Sequence, residues 1–370
     1  MEEYRASFDL EPGYLDWAVF GPLSDAVRQE ALADVELLGT GRRAGMELVR
    51  EHAAAASALV AEMVGGREDA VVLQPSTTDG LMQAVFGVTG GILLSRTETP
   101  ALTVAVTRAA EALHVVDPQW VDPPAGYLTP EVVRDALTPA TRAVAVSLVD
   151  HRTGYRADLS ALREVIGERL LIVDAVHAFG VVQADYAAAD VVCGAGHTWL
   201  RAGRGTGFAW FGDRARDELT PVFSGRAGTV REPTTDSVPA AAAAPRGFTV
   251  SAPDQMAAAR LAAGLREAQQ VGVPLIEEAL VARTGELLQL ADRHGLATLT
   301  PRDAGRRAGI VTLVPGADAT GALAASLVNH GVTCTTRAGA VRVSAHVGTG
   351  AETLGMVEGA LASFSQLRGW

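Results

Sequence analysis

The chain has 370 residues, of which 48% are hydrophobic and 20% charged, as is typical of a soluble globular protein with a large core. Its formal net charge of −12 argues against nucleic acid or an anionic membrane as the main partner, because phosphate-rich surfaces attract basic proteins. Its two cysteines predict neither a disulfide framework nor a metal site, and an acidic start without an apolar signal segment predicts a cytoplasmic location.

Hydrophobic periodicity alternates between strands and helices along most of the chain. The predicted helices lie at 27–38, 46–64, 103–113, 129–136, 276–287 and 319–329, and a further helix follows the turn 75–80 and runs through Val85. The predicted strands lie at 70–73, 92–94, 114–116, 142–149, 170–173, 190–193, 208–211, 297–299, 309–314, 332–335 and 340–343. This order predicts an α/β fold with a mostly parallel seven-stranded sheet and a small C-terminal α+β domain. We predict an N-terminal segment (1–20), a large domain (21–272) and a small domain (273–370).

A turn rich in hydroxyl groups, Pro-Ser-Thr-Thr-Asp-Gly at 75–80, follows the first predicted strand. Free N–H groups and the helix dipole make such a helix start a suitable cradle for phosphate, so Thr77 and Thr78 are candidate phosphate ligands. Simple N-capping by a Ser or Thr is the alternative interpretation.

The apolar run 170–173 ends on Asp174, and His177 follows three residues later. A continuous apolar run predicts a strand buried on both faces, and an acid at its C-terminal end lies at the edge where α/β proteins bind ligands. The next predicted strand leads into the turn Gly-Ala-Gly-His-Thr-Trp-Leu at 194–200.

This arrangement resembles the class V aminotransferase group of fold-type I enzymes that use pyridoxal phosphate (PLP). The group includes cysteine desulfurases, isopenicillin N epimerase-like proteins and C–S lyases. Its pattern begins with a strand that ends in Asp and is followed three residues later by Gln or His. A Gly-His-Lys-Trp-Leu-like turn comes later in the chain. Asp174, His177, His197 and Trp199 match, but Thr198 stands at the lysine position. All 31 basic residues are arginine, so no side chain can form the internal aldimine with the cofactor.

The resemblance implies a role for each matching residue. Thr77 and Thr78 would hold the cofactor phosphate, with His197 near it. Asp174 would pair with the pyridine nitrogen, and His177 would contact the ring hydroxyl. PLP is therefore implied, but only as a non-covalent ligand, and binding of no cofactor is the alternative.

Two further positions depart from the family pattern. The segment 96–101 resembles the family's E-[HYF]-x-[AS] motif, whose aromatic residue stacks on the pyridine ring, but Thr99 takes that position. Ala195 stands where cysteine desulfurases often carry a phosphate-binding serine.

The substrate side of the site is also implied by the resemblance. His151 and Arg152 lie in a segment that forms one wall of the family's substrate pocket, with a solvated turn as the alternative. Arg342 opens a segment, Arg-Val-Ser-Ala-His, whose arginine pairs with the substrate α-carboxylate in the family. A structural arginine that binds inter-domain carbonyls is the alternative for Arg342.

Three functions are compatible with this sequence. We favour a repurposed enzyme acting on an amino-acid-derived, carboxylate-bearing small molecule, with His197, His177 and Thr198 as the candidate catalytic set. The second is a non-catalytic or regulatory partner of a lysine-bearing homologue, and the third is an ordinary aminotransferase, lyase or epimerase seen as a lysine variant. A homodimer is expected, or a heterodimer under the second hypothesis, because family members use the region 212–246 to reach the neighbouring subunit.

Overall fold

The computed structural model describes residues 1–316 and 318–368. The helices are α1 (Glu2–Ala6), α2 (Asp25–Gly39), α3 (Arg43–Val64), α4 (Thr77–Phe86), α5 (Pro100–Leu113), α6 (Pro130–Ala136), α7 (Leu159–Ile166), α8 (Asp213–Glu218), α9 (Gln255–Val271), α10 (Val273–Arg293), α11 (Thr320–Asn329) and α12 (Ala351–Arg368). The strands are β1 (Val71–Gln74), β2 (Gly90–Ser95), β3 (Val116–Val121), β4 (Thr141–Ser147), β5 (Leu170–Asp174), β6 (Val191–Ala195), β7 (Gly207–Phe211), β8 (Ala297–Thr298), β9 (Ile310–Val314), β10 (Thr335–Arg337) and β11 (Ala340–Ser344). Within the described residues, no helix is long and apolar enough to cross a membrane.

The larger sheet has seven strands in the order β1-β7-β6-β5-β4-β2-β3. Strands β3, β2, β4, β5 and β6 run parallel, and β7 lies antiparallel to both of its neighbours. The predicted α/β fold with a mostly parallel seven-stranded sheet is therefore confirmed. The strand order brings the carboxyl ends of β4, β5 and β6 side by side.

Both faces of the central strand β5 are buried, as its continuous apolar sequence requires. Leu171 and Val173 point into one core, together with apolar residues of α3, α7 and α9. Leu170 and Ile172 point into the other, together with residues of α4 and α5. The side chains that follow β5 are thus held at the edge of a sheet packed on both sides.

A smaller antiparallel sheet has the order β10-β11-β9-β8 and shares a core with α10, α11 and α12. Helix α10 belongs to two cores, because Leu280 packs against the larger sheet and Leu288 against the smaller one. The N-terminal segment joins the smaller sheet, since Asp16 forms a bridge with Ser344 of β11.

Two predicted strands begin two or more residues later in the structure. The strand predicted at 114–116 begins only at Val116, because His114 takes a left-handed conformation (φ 57°) that ends α5. The strand predicted at 332–335 is wrong over its first three residues, since β10 starts at Thr335. Val332 is nevertheless buried in the core of the small sheet, which explains its apolar character.

Candidate functional site

Asp174 ends β5 between Ser147 of β4 and Cys193 of β6, its register partners on the two neighbouring strands. Its side chain is 2% exposed. Oδ1 accepts a hydrogen bond from the backbone N–H of Val176 and Oδ2 accepts one from the hydroxyl of Thr99, both at 3.0 Å. Burial raises the pKa of Asp174 to about 6, although both hydrogen bonds act in the opposite direction. In the described part of the chain no ion pair compensates this carboxyl, which can therefore receive a protonated ligand nitrogen.

Thr99, which stands at the predicted stacking position, thus makes a polar contact to Asp174. Beside it lies a second buried acid, Glu98, which is 7% exposed and was not among the predicted site residues. Glu98 Oε2 accepts hydrogen bonds from the Ser147 hydroxyl (2.5 Å) and from the Thr99 N–H (3.4 Å). Burial raises the pKa of Glu98 to about 8, and the nearby Asp150 and Asp174 add to the shift. Glu98 matches the glutamate of the E-[HYF]-x-[AS] motif, but a single glutamate in a turn does not indicate burial.

The candidate phosphate cradle lies at the start of α4. The hydroxyl of Ser76 caps this helix by accepting from the N–H of Asp79, and it donates to the Asp79 carboxylate at 2.6 Å. Thr77 is buried and its Oγ1 has no hydrogen-bond partner, whereas Thr78 is exposed. A Cβ atom on Gly207 would lie 2.5 Å from the carbonyl carbon of Ser76, so only glycine lets β7 approach this turn.

Thr198, at the lysine position, is buried, and its hydroxyl donates to the carbonyl of Val176 at 2.9 Å. This bond ties the turn after β6 to the turn after β5. His177 lies in the latter turn, with its ring edge-on to Trp199 at a centroid distance of 5.7 Å and a buried Nδ1 that has no partner. Burial holds the pKa of His177 well below its usual value and lowers that of the partly exposed His197 to about 4. Both imidazoles are therefore neutral at pH 7.

Arg342 of β11 lies on the side of the small sheet and contacts the turn after β4. It is 5% exposed, its Nη1 donates to the carbonyl of His151 at 2.8 Å, and its Nε has no partner. Burial lowers the pKa of Arg342 to about 10 and that of His151 to about 4. Asp150 Oδ1 shapes the same turn by accepting from the N–H groups of Arg152 and Thr153. Arg152 itself is half-buried.

The structure brings most of the predicted site residues to one edge of the large sheet. Asp174 contacts Thr99 directly. Val176 links Asp174 to Thr198, because its N–H donates to the Asp174 carboxylate and its carbonyl accepts from the Thr198 hydroxyl. The positive charge of Arg342 lowers the pKa of His177, as do the rings of His151 and His197, so these groups lie within electrostatic range of one another. The site therefore has an acidic end and a basic end.

A cavity of about 700 Å³ adjoins the candidate phosphate cradle and is lined by residues such as Pro75, Asp79, Gly207, Phe223 and Leu261. None of the predicted site residues lines it. Among residues 1–316 and 318–368, no group of three or more His, Cys, Asp or Glu side chains is arranged to hold a metal ion.

Comparisons with known proteins agree with this architecture. The model of the family "Aminotransferase class-V" matches residues 39–354. Kynureninase from Pseudomonas fluorescens is 26% identical over 249 residues, which cover 62% of this chain and 58% of that enzyme. This match thus spans less than two thirds of the curated relative.

Several solved structures share the fold over almost the whole chain. The apo cysteine desulfurase of Thermococcus onnurineus NA1 superposes with a TM-score of 0.85 at 21% identity, covering 100% of this chain and 98% of that one. A lysine-to-alanine variant of C-DES, with glycine covalently linked to its PLP cofactor, has a TM-score of 0.86 at 20% identity and 98% coverage of both chains. The Escherichia coli cysteine desulfurase CsdA has a TM-score of 0.83 at 15% identity, covering 99% and 98%.

Proposed function

We propose that this chain, which belongs to the aminotransferase class-V family, acts on an amino-acid-derived, carboxylate-bearing small molecule without using a lysine. The observation that carries the proposal is the guanidinium of Arg342, whose charge Asp16 balances only from beyond ion-pair distance. It is buried, forms no ion pair among the described residues, and keeps Nε without a partner. A buried charge of this kind is costly unless a ligand of opposite charge meets it. The planar guanidinium fits a carboxylate with two parallel hydrogen bonds.

The acidic end of the site supports a ligand with a protonated nitrogen. Asp174 has a donor on each oxygen, but both donors are neutral, so its charge is not balanced. A molecule that carries a carboxylate and a protonated nitrogen would match both ends of the site. An amino acid, or an amino acid together with a pyridine-containing cofactor, has this combination.

The described residues fit a PLP molecule held by non-covalent contacts alone. The unpartnered Thr77 hydroxyl and the N–H groups at the start of α4 would hold the phosphate. Asp174 would hold the ring nitrogen, and the unpartnered Nδ1 of His177 would contact the ring hydroxyl. When bound, PLP supplies an electron sink for bonds to the α-carbon of an amino acid. Thr198 cannot link it to the chain, because a hydroxyl does not form a stable Schiff base.

Binding of PLP should be weak compared with that in lysine-bearing relatives. Thr99 offers no aromatic face, and Ala195 offers no hydroxyl to the phosphate. One lost hydrogen bond to a charged group costs about 1.5–3 kcal/mol, or roughly ten- to a hundred-fold in affinity.

The histidines are the groups that can move a proton in this site. His197 is partly exposed and neutral at pH 7, so its imidazole can accept a proton from a bound substrate. The hydroxyl proton of Thr198 already points to the carbonyl of Val176, so this side chain fixes the turn that carries His197. We therefore assign the general base to His197 and a positioning role to Thr198.

One relative supports the idea that this fold can hold PLP without a covalent link to the chain. The C-DES variant in which a lysine is replaced by alanine still carries PLP, linked to glycine. A protein of this fold can thus hold an amino acid and PLP together after losing a lysine.

The test is the binding of glycine to the protein saturated with PLP, measured by isothermal titration calorimetry. We expect Arg342→Ala to weaken glycine binding by roughly ten- to a hundred-fold, the loss expected for one charge-assisted contact. Arg43→Ala is the matched control, because the Arg43 side chain is 88% exposed. Unchanged glycine affinity in Arg342→Ala would contradict the proposal.

A further inference from the structure

We infer that Glu98 and Asp174 act as one acidic pair holding a single proton, which Glu98 keeps so that Asp174 faces the ligand as the charged member of the pair. Glu98 is then a positioning residue that acts through Asp174. This inference deepens the proposed function, because it assigns how the acidic end of the same site receives a protonated nitrogen.

The two carboxyl groups are held side by side by the fold. Ser147 and Asp174 are register partners at the ends of β4 and β5. The hydroxyl of Ser147 lies 2.5 Å from Glu98 Oε2, and the backbone N–H of Ser147 donates to Glu98 Oε1 at 3.3 Å. The next residue, Thr99, bridges the pair, since its N–H contacts Glu98 at 3.4 Å and its hydroxyl contacts Asp174 at 3.0 Å. A change of charge on one carboxyl is therefore felt by the other.

Neither carboxyl has a cation beside it. Both side chains are less than a tenth exposed, and no ion pair within residues 1–316 and 318–368 involves either of them. A third buried acid, Asp150, is also near, and its Oδ1 accepts hydrogen bonds only from the turn that follows it. Several uncompensated negative charges in one buried cluster are costly, so protonation of one member is the physical solution.

The neighbouring charges indicate which member takes the proton, because Glu98 lies within electrostatic range of both Asp150 and Asp174. Hydrogen bonds alone do not distinguish the two carboxyls, since Asp174 and Glu98 each accept on both oxygens. The 2.5 Å contact between Glu98 and the Ser147 hydroxyl suits a neutral carboxyl as well, because a protonated Glu98 can donate to the Ser147 oxygen. The shifts in pKa agree, to about 8 for Glu98 and about 6 for Asp174. The thiol of Cys193, the register partner of Asp174 on β6, also faces the pair, and burial and Asp174 raise its pKa well above its usual value, so it stays neutral.

Infrared spectroscopy of the ligand-free, full-length protein tests the inference, because a protonated carboxyl has its own carbonyl band. The wild type should show this band at neutral pH and lose it as the pH rises through about 8. Glu98→Gln should lack the band, whereas the control Glu131→Gln, which alters an exposed glutamate, should keep it. A Glu98→Gln spectrum with the band unchanged would overturn the inference.

Two further variants keep the test decisive if Glu98→Gln fails to fold. Ser147→Ala removes the short contact to Glu98, so the band should persist at a shifted frequency. Asp174→Asn removes the neighbouring negative charge, so the band should disappear at a lower pH than in the wild type. A band that responds to neither change does not arise from this pair and would refute the inference. Since no ligand is used, this result is independent of whether glycine or PLP binds.

Discussion

Trp199 and His346 are joined by a hydrogen bond between the two sheets, and a second hydrogen bond joins Trp199 to the neighbouring Ala345. The indole Nε1 of Trp199 donates to the carbonyl of Ala345 at 3.0 Å, and His346 Nε2 lies 2.8 Å from the carbonyl of Trp199. Because the N–H of Val347 donates to Nδ1 of the same ring, Nε2 carries the proton and donates it. These bonds fix the turn after β6 against the end of β11, and thereby the two walls of the site.

Replacing His346 should make the protein less stable and change its response to acid. His346 is completely buried, and its pKa is lowered by burial to about 3. In the unfolded chain the same imidazole has a pKa near 6.5. The folded protein therefore keeps its full stability above about pH 6.5 and loses stability as the pH falls from there towards 3. His346→Phe leaves two buried backbone groups without partners, so we expect a loss of about 2–4 kcal/mol at neutral pH and a shallower decline in acid. Chemical denaturation at several pH values measures the free energy of unfolding and its dependence on pH. If the stability of His346→Phe fell in acid as steeply as that of the wild type, His346 would not be the buried neutral group that we describe.

The purified protein should be free of covalently attached PLP. With no lysine in the chain, added PLP should leave on dialysis, and borohydride should not fix it to any side chain. Thr198→Lys alone should fix little PLP, because Thr99 and Ala195 still depart from the family pattern. Absorption spectra and intact mass spectrometry after reduction give the answer. A yellow wild-type protein with PLP fixed to a side chain would refute the expectation.

The Thr99 hydroxyl should control the charge of Asp174. Thr99→Val keeps the shape but removes the donor at 3.0 Å, so the pKa of Asp174 should rise further above its usual value. PLP binding should then weaken several-fold in slightly acidic solution relative to the wild type, because less of the carboxyl is charged. Thr99→Ser retains the donor and serves as the control. Fluorescence titrations with PLP between about pH 5 and pH 9 compare the three proteins, and identical pH profiles would contradict this role.

Gly207 should be intolerant of any side chain. The Cβ of Gly207→Ala would lie 2.5–2.6 Å from backbone atoms of Ser76, which cannot yield as a flexible side chain can. We expect a loss of about 1–3 kcal/mol and weaker binding of phosphate-bearing ligands, since the start of α4 must move. Gly355→Ala is the opposite case, because Gly355 lies in α12 with no atom near its Cβ position, and it should gain about 0.5–1 kcal/mol. Thermal unfolding of both variants checks the contrast.

We also propose that the protein forms a two-fold dimer. Leu32 and Val35 of α2 and Leu48 of α3 are more than half exposed, which is costly unless another surface covers them. Light scattering at micromolar concentration should therefore give twice the chain mass of 38.4 kDa. A monomer would refute the homodimer and leave the heterodimer with a lysine-bearing homologue to be tested.

The sequence predicts the fold and the location of the site more completely than the contacts within it. Asp174 and His197 could be placed because strand ends and local motifs are readable over a few residues. The bond between Thr99 and Asp174 joins residues 75 positions apart, and the bond between Arg342 and His151 joins residues 191 positions apart. Such contacts depend on tertiary packing. Glu98 was missed for the same reason, since its burial results from the meeting of β4 with the start of α5.

Helix α10 has a mechanical consequence for ligand access. This single helix of 21 residues is embedded in the core of the large sheet at Leu280 and in that of the small sheet at Leu288. Rotating one sheet against the other would bend the helix and pull apart packed side chains, which resist deformation. We therefore expect a small molecule to reach Asp174 and Arg342 through local movements of turns and side chains, without rotation of one sheet against the other.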